Sequence, residues 1–156
     1  MIRRAALLAF LATPAMAQQD LGAAQVQPCG DADRVDTIAE PWQDNISSYA
    51  QGQIRIALLD YVEPAGGAFK LLVLSPPRDE LGFRQCRIVQ LGDGIGFYDM
   101  DFGQHHASYD PARGLTVTLP ARHYPVSGDH DDDAGWFQLS VTIDQQTGQI
   151  TTQGFK

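Results

Sequence analysis

The chain has little cysteine and almost no lysine: of 156 residues, only Cys29, Cys86, Lys70 and Lys156 are of these types. Two cysteines without Cys-x-x-Cys spacing give no support to thioredoxin-like exchange. Acidic residues outnumber basic ones 19 to 11, for a net charge of −8. With no basic stripe along the sequence, nucleic acid and an anionic membrane surface are poor partners. Beyond residue 17 no stretch approaches the roughly 20 apolar residues a spanning helix needs, so no membrane span is expected. Gly-x-Ser-x-Gly is absent, and none of the six serines has a flank that suggests an activated hydroxyl. The glycines at 92, 94 and 96 fall between expected strands, not at the start of a helix, so they do not form a phosphate-cradling loop.

What is present begins with a leader. Arg3 and Arg4 precede an apolar run over 5–12, Pro14 breaks it, and Ala15-Met16-Ala17 supplies the small residues a signal peptidase requires. The expectation is a signal peptide over 1–17 cleaved at Ala17/Gln18, a flexible mature N-terminus over 18–28 and a single globular domain over 29–156. Cleavage would leave 139 of the 156 residues and take the charge from −8 to −10. Cys29 is too far from the cleavage point for a lipid anchor. The protein is expected to be periplasmic or secreted, an oxidising setting in which Cys29 and Cys86 form one disulfide. The long loop it closes is worth about 4 kcal/mol in the chain-entropy account.

Asp33 is a candidate helix cap. Val35, Ile38, Ala39, Trp42, Ile46 and Tyr49 recur at helical spacing with Pro41 among them, which predicts helices over 33–39 and 41–50 or one kinked helix. After Gly52 the pattern changes. Residues 54–62 and 69–74 are rich in branched side chains and read as a hairpin buried on both faces. Residues 75–80, with Pro76-Pro77, read as a loop. Strands are expected over 86–91 and 95–101, with a short one near 107–109. Two more follow where Leu115, Val117 and Leu119, and then Phe137, Leu139, Val141 and Ile143, alternate with polar residues. A last strand covers 150–153. The fold class expected is α+β or mainly β. Its N-terminal helix packs on a predominantly antiparallel sheet of about six to eight strands, as a roll, small sandwich or open barrel.

Three groups of residues have the chemistry of a site. Asp101, His105 and His123 form a metal set if the fold assembles them, since imidazole and carboxylate suit zinc. Asp129, Asp131 and Asp133 alternate like the start of a calcium loop. However, Ala134 replaces the turn glycine and Ser140 the late bidentate acid, so weak cation binding or none is expected there. Asp99 and Asp101 share a face if their segment is a strand. Tyr61, Pro77, Tyr109, Tyr124 and Trp136 sit at expected strand ends, and aromatic residues are enriched in binding hot spots. The expected function is a small exported domain that binds a small molecule or an envelope protein without catalysing a reaction, and no cofactor is implied. The alternative is a small metal-dependent enzyme using His105 and His123 with nearby carboxylates.

Overall fold

The computed structural model describes residues 23–62, 67–124 and 135–155. The expected leader lies outside them, as do Asp129, Asp131, Asp132 and Asp133. Among the described residues the strands are β1 (Gln25–Pro28), β2 (Ile46–Tyr49), β3 (Ile54–Asp60), β4 (Phe69–Arg78), β5 (Arg84–Gln90), β6 (Asp99–Met100), β7 (His106–Asp110), β8 (Gly114–Arg122), β9 (Trp136–Ile143) and β10 (Ile150–Phe155). They form two antiparallel sheets. One runs β1-β5-β4-β3-β2; the other runs β10-β9-β8, with β6 and β7 both along the free side of β8.

The expected N-terminal helix packed on a sheet is absent. In its place are two single 3-10 turns, Val35–Thr37 and Trp42–Asp44, followed by β2. The edge of β3 takes the backbone groups a helix would have paired internally. The Ala39 N–H donates to the Leu58 carbonyl at 2.9 Å, and the Leu58 N–H donates to the Asn45 carbonyl at 3.0 Å. The apolar stripe is not buried as a stripe either: Val35 is 66% exposed, and Trp42 and Ile46 are each 40% exposed.

Period-two patterning places the core. Ile54, Ile56 and Leu58 of β3, Leu71 and Val73 of β4 and Val89 of β5 meet Leu115, Val117 and Leu119 of β8 and Leu139, Val141 and Ile143 of β9 in one apolar cluster. On β9 the register is the expected one. Leu139, Val141 and Ile143 are fully buried, whereas Gln138, Ser140 and Thr142 are only partly covered. On the polar face of that sheet, Thr116 and Thr142 share a hydrogen bond of 2.9 Å, and Thr118 and Ser140 one of 2.8 Å.

The first sheet is buried on its second face too, where Ala57, Leu59 and Ile88 are covered. An irregular segment crosses that face. It is fixed at one end by the Cys29–Cys86 disulfide, whose Cα atoms are 5.4 Å apart, and at the other by the Tyr61 hydroxyl on the Asp33 carboxylate.

Three further expectations need correction. Residues 25–28, placed in a flexible N-terminus, form β1 against β5, and the Thr152 hydroxyl holds the Ala24 carbonyl at 2.6 Å. Pro76 and Pro77 are not in a loop: β4 runs through them to Arg78. They lie past the last residue of β4 paired to β3, at a register shift against β5, where the missing N–H groups break no ladder. The strand expected over 95–101 shrinks to the Phe69–Phe97 bridge and two-residue β6.

Candidate functional site

β2 and β7 are the free edges of the two sheets on one side of the core. Side chains two apart on a strand share a face. Ser47 and Tyr49 therefore point the same way from β2, opposite Ile56 and Ile54, and Ala107 and Tyr109 do the same from β7, opposite Val117 and Leu115. The core opens to solvent between these edges as a groove of about 510 Å³, lined by Tyr49, Ala50, Ala107, Tyr109, Leu115 and their neighbours. The β2–β3 turn beside it holds two non-glycine residues at positive φ, Ala50 at 50° and Gln51 at 55°. Such backbone costs on the order of 1–3 kcal/mol per residue and clusters at functional sites.

His105 bridges the two edges. It ends the 3-10 turn Phe102–Gln104, just before β7. Its Nδ1 lies 2.6 Å from the Phe102 carbonyl and its Nε2 lies 2.9 Å from the Ser47 hydroxyl. A carbonyl oxygen only accepts, so in the neutral ring Nδ1 carries the proton and Nε2 accepts from Ser47. Tyr49 meets the His105 ring edge-on at 6.4 Å between centroids. The Tyr49 hydroxyl is buried and makes no hydrogen bond of good geometry. Burial raises its pKa, and the nearby Ser47 hydroxyl opposes that shift.

The residues singled out from the sequence are dispersed. Asp101 caps the turn that carries His105, its carboxylate accepting from the Gln104 N–H at 3.2 Å. The Asp99 carboxylate accepts from the Met100 N–H at 2.8 Å, so each of these acids is engaged by its own neighbour. His123, the residue after β8, stacks on Phe137 at 4.4 Å between ring centroids, and burial lowers its pKa. Among the described residues no three His, Cys, Asp or Glu side chains are grouped to hold a metal.

The aromatic positions divide as well. Tyr124 packs edge-on against Tyr98 at 5.6 Å, and the Arg122 guanidinium lies over both Tyr98 and Trp136. Tyr109 lines the groove. Tyr61 sits on the other sheet, under Lys70 and against Asp33, where burial and then the Asp33 charge raise its pKa. Pro77 lies against Gly148 of the β9–β10 turn.

Sequence reasoning missed Ser47 and Tyr49. Their assignment to a helix hid the two-residue period that puts both at the groove. No family model, curated protein or solved structure matches the chain.

Proposed function

We propose that this chain is an exported domain of the cell envelope, cut between Ala17 and Gln18, that binds a ligand or partner and catalyses no reaction. Two findings support export. Cys29 and Cys86 are joined, a state that persists in oxidising compartments. No described helix is long and apolar enough to cross a membrane. The observation that carries the binding reading is the open groove between the two sheet edges, lined by Tyr49, Tyr109 and Leu115. A concave, mostly apolar groove edged by aromatic side chains is the usual seat of a small ligand. The ligand this favours is a small molecule with a flat apolar body that packs between Tyr49 and Tyr109.

Thermal-shift screening against small aromatic and cyclic compounds tests this. A hit should lose its shift in Tyr109→Ala and weaken in Tyr49→Ala. Hits that survive both substitutions would move the binding site elsewhere. Export is tested separately by intact mass, which should show periplasmic or secreted chain beginning at Gln18.

The alternative of a metal-dependent enzyme draws less support, because His105 commits both ring nitrogens to Ser47 and Phe102. The same pair does favour a second reading, acyl transfer with Ser47 as nucleophile and His105 as base. Turnover of an activated ester that disappears in Ser47→Ala would establish it. An equal rate in both proteins would dismiss it.

A further inference from the structure

The turn between β4 and β5 has two features with no role in the core. Leu81 is 82% exposed and Phe83 67% exposed, both at the hairpin tip. The tip is ordered by its own hydrogen bonds. The Asp79 carboxylate accepts from the Leu81 N–H at 3.0 Å and the Phe83 N–H at 2.8 Å, and the Asp79 N–H donates to the Phe83 carbonyl at 2.8 Å. Asp79 and Glu80 are both exposed at the tip, the Asp79 carboxylate engaged by these two N–H groups.

Behind the tip stand Arg55, Arg78, Arg84 and Arg87. They are scattered along the sequence, so no basic stripe is readable there; the β3–β4–β5 register sets Arg55, Arg78 and Arg84 at one end of the sheet, and Arg87, from the opposite face of β5, lines the same cleft. Among the described residues none of the four is paired with a carboxylate. Arg78 donates to the Gly82 carbonyl at 2.6 Å, Arg84 to the Gly52 carbonyl at 2.9 Å and Arg87 to the Cys86 carbonyl at 2.9 Å. The Arg84 Nε is buried with no acceptor. Arg78 and Arg55 repel the Arg84 charge, adding to the desolvation that lowers its pKa. A cleft of about 220 Å³ opens between Arg78, Phe83, Arg84 and Arg87.

With one carboxylate, Asp79, lining the cleft beside three arginines, and no ion pair to any of them among the described residues, the local charge favours an external anion. A soluble oxyanion would use the arginines and give Leu81 and Phe83 no part. A lipid surface uses both sets. Apolar tips enter below the headgroups while guanidinium groups, on flexible apolar stems, stay at the phosphates. We propose that the β4–β5 hairpin docks on anionic phospholipid, with Leu81 and Phe83 inserted and Arg55, Arg78, Arg84 and Arg87 holding the phosphates. This site is separate from the groove and does not depend on a ligand there.

Co-sedimentation of the exported protein with vesicles tests the proposal. It should bind phosphatidylglycerol vesicles, bind phosphatidylcholine vesicles far less, and release as salt rises. Arg78→Gln with Arg84→Gln should weaken binding about thirtyfold, since each arginine near such a surface is worth about a factor of five. Leu81→Ser with Phe83→Ser changes only exposed side chains, so it keeps the test sound if the arginine variant folds poorly. It should abolish sedimentation. Phe83→Trp should add emission, over that of Trp42 and Trp136, that shifts to the blue on phosphatidylglycerol. Sedimentation unchanged by the serine pair would overturn the proposal. So would absence of vesicle binding at low salt, including the case in which inorganic phosphate alone stabilises the protein through the arginines.

Discussion

Ser47 and His105 are 58 residues apart in the chain and joined by a hydrogen bond of 2.9 Å. The bond ties the edge strand of one sheet to the turn that leads into the edge strand of the other, and so holds the groove between them at a set width. Ser47→Ala should cost about 1 kcal/mol, the usual worth of one such bond. Ser48→Ala, at an exposed neighbour on the opposite face, should cost less than half of that. Denaturant melts of the two variants measure the difference. Equal effects would mean that the bond holds nothing.

The disulfide pins the segment that covers the second face of the β3–β4–β5 sheet. Cys29→Ser should lower stability by roughly 2–5 kcal/mol. Because Cys29 leads directly into the crossing segment, hydrogen exchange should rise at Ala39 and Leu58 before it rises at Val117 or Val141. Uniform acceleration across both sheets would show that the segment is not a separate unit.

The strands that were legible are those that bury one face against water or both faces against protein. Leu139, Val141 and Ile143 alternate with Gln138, Ser140 and Thr142, and that pattern has one solution in register. Leu139→Ala should cost roughly 2–5 kcal/mol and Ser140→Ala about 1, through loss of the Thr118 bond. The N-terminal part was misread because helical spacing among Val35, Ile38, Ala39, Trp42, Ile46 and Tyr49 arises from an irregular path. Ile38 and Ala39 touch the edge of β3, Ile46 begins a strand, and Val35 and Trp42 face water. Periodicity does not carry the pairing partner, and here the partner decided the structure. The Ser47–His105 contact was illegible for the same reason, and the arginine group because its members meet only through strand pairing and the cleft at the β4–β5 end.

His123 gives the fold a pH dependence of defined sign. Burial holds its pKa below the ordinary 6.5, so the unfolded chain takes up the proton first. Its contribution is therefore complete above about pH 6.5 and declines as pH falls below that value. His123→Phe keeps a ring on Phe137 and removes the titration. Urea melts between pH 8 and pH 5 should show the wild type losing stability toward acid relative to the variant. Parallel curves would place the effect at another group. The Asp144 carboxylate accepts from the Gln146 N–H at 2.8 Å and the Thr147 hydroxyl at 2.6 Å, which lowers its pKa, and it acts in a separate window beneath its ordinary 3.8.

Gln85 is a polar link where β9 turns into β10. Its side-chain amide lies 3.0 Å from the Ser75 hydroxyl, 2.8 Å from the Pro76 carbonyl and 2.7 Å from the Gly148 carbonyl, so it joins β4 and β5 to the β9–β10 turn. The amide has two protons for these three acceptors, Ser75 is fully buried, and Gln85→Leu would leave two of the acceptors short of a donor. The expected cost is roughly 1–3 kcal/mol. Gly148 is fixed from the other side. Its φ is +77°, and a Cβ there would sit 2.2 Å from the Pro77 ring. Gly148→Ala should therefore shift the turn off Pro77 and draw its carbonyl away from Gln85. If the two residues act through one contact, the double variant should lose clearly less than the sum of the single losses. Strict additivity in a double-mutant cycle would show that Gln85 stabilises β4 and β5 alone and that the turn is held by Pro77.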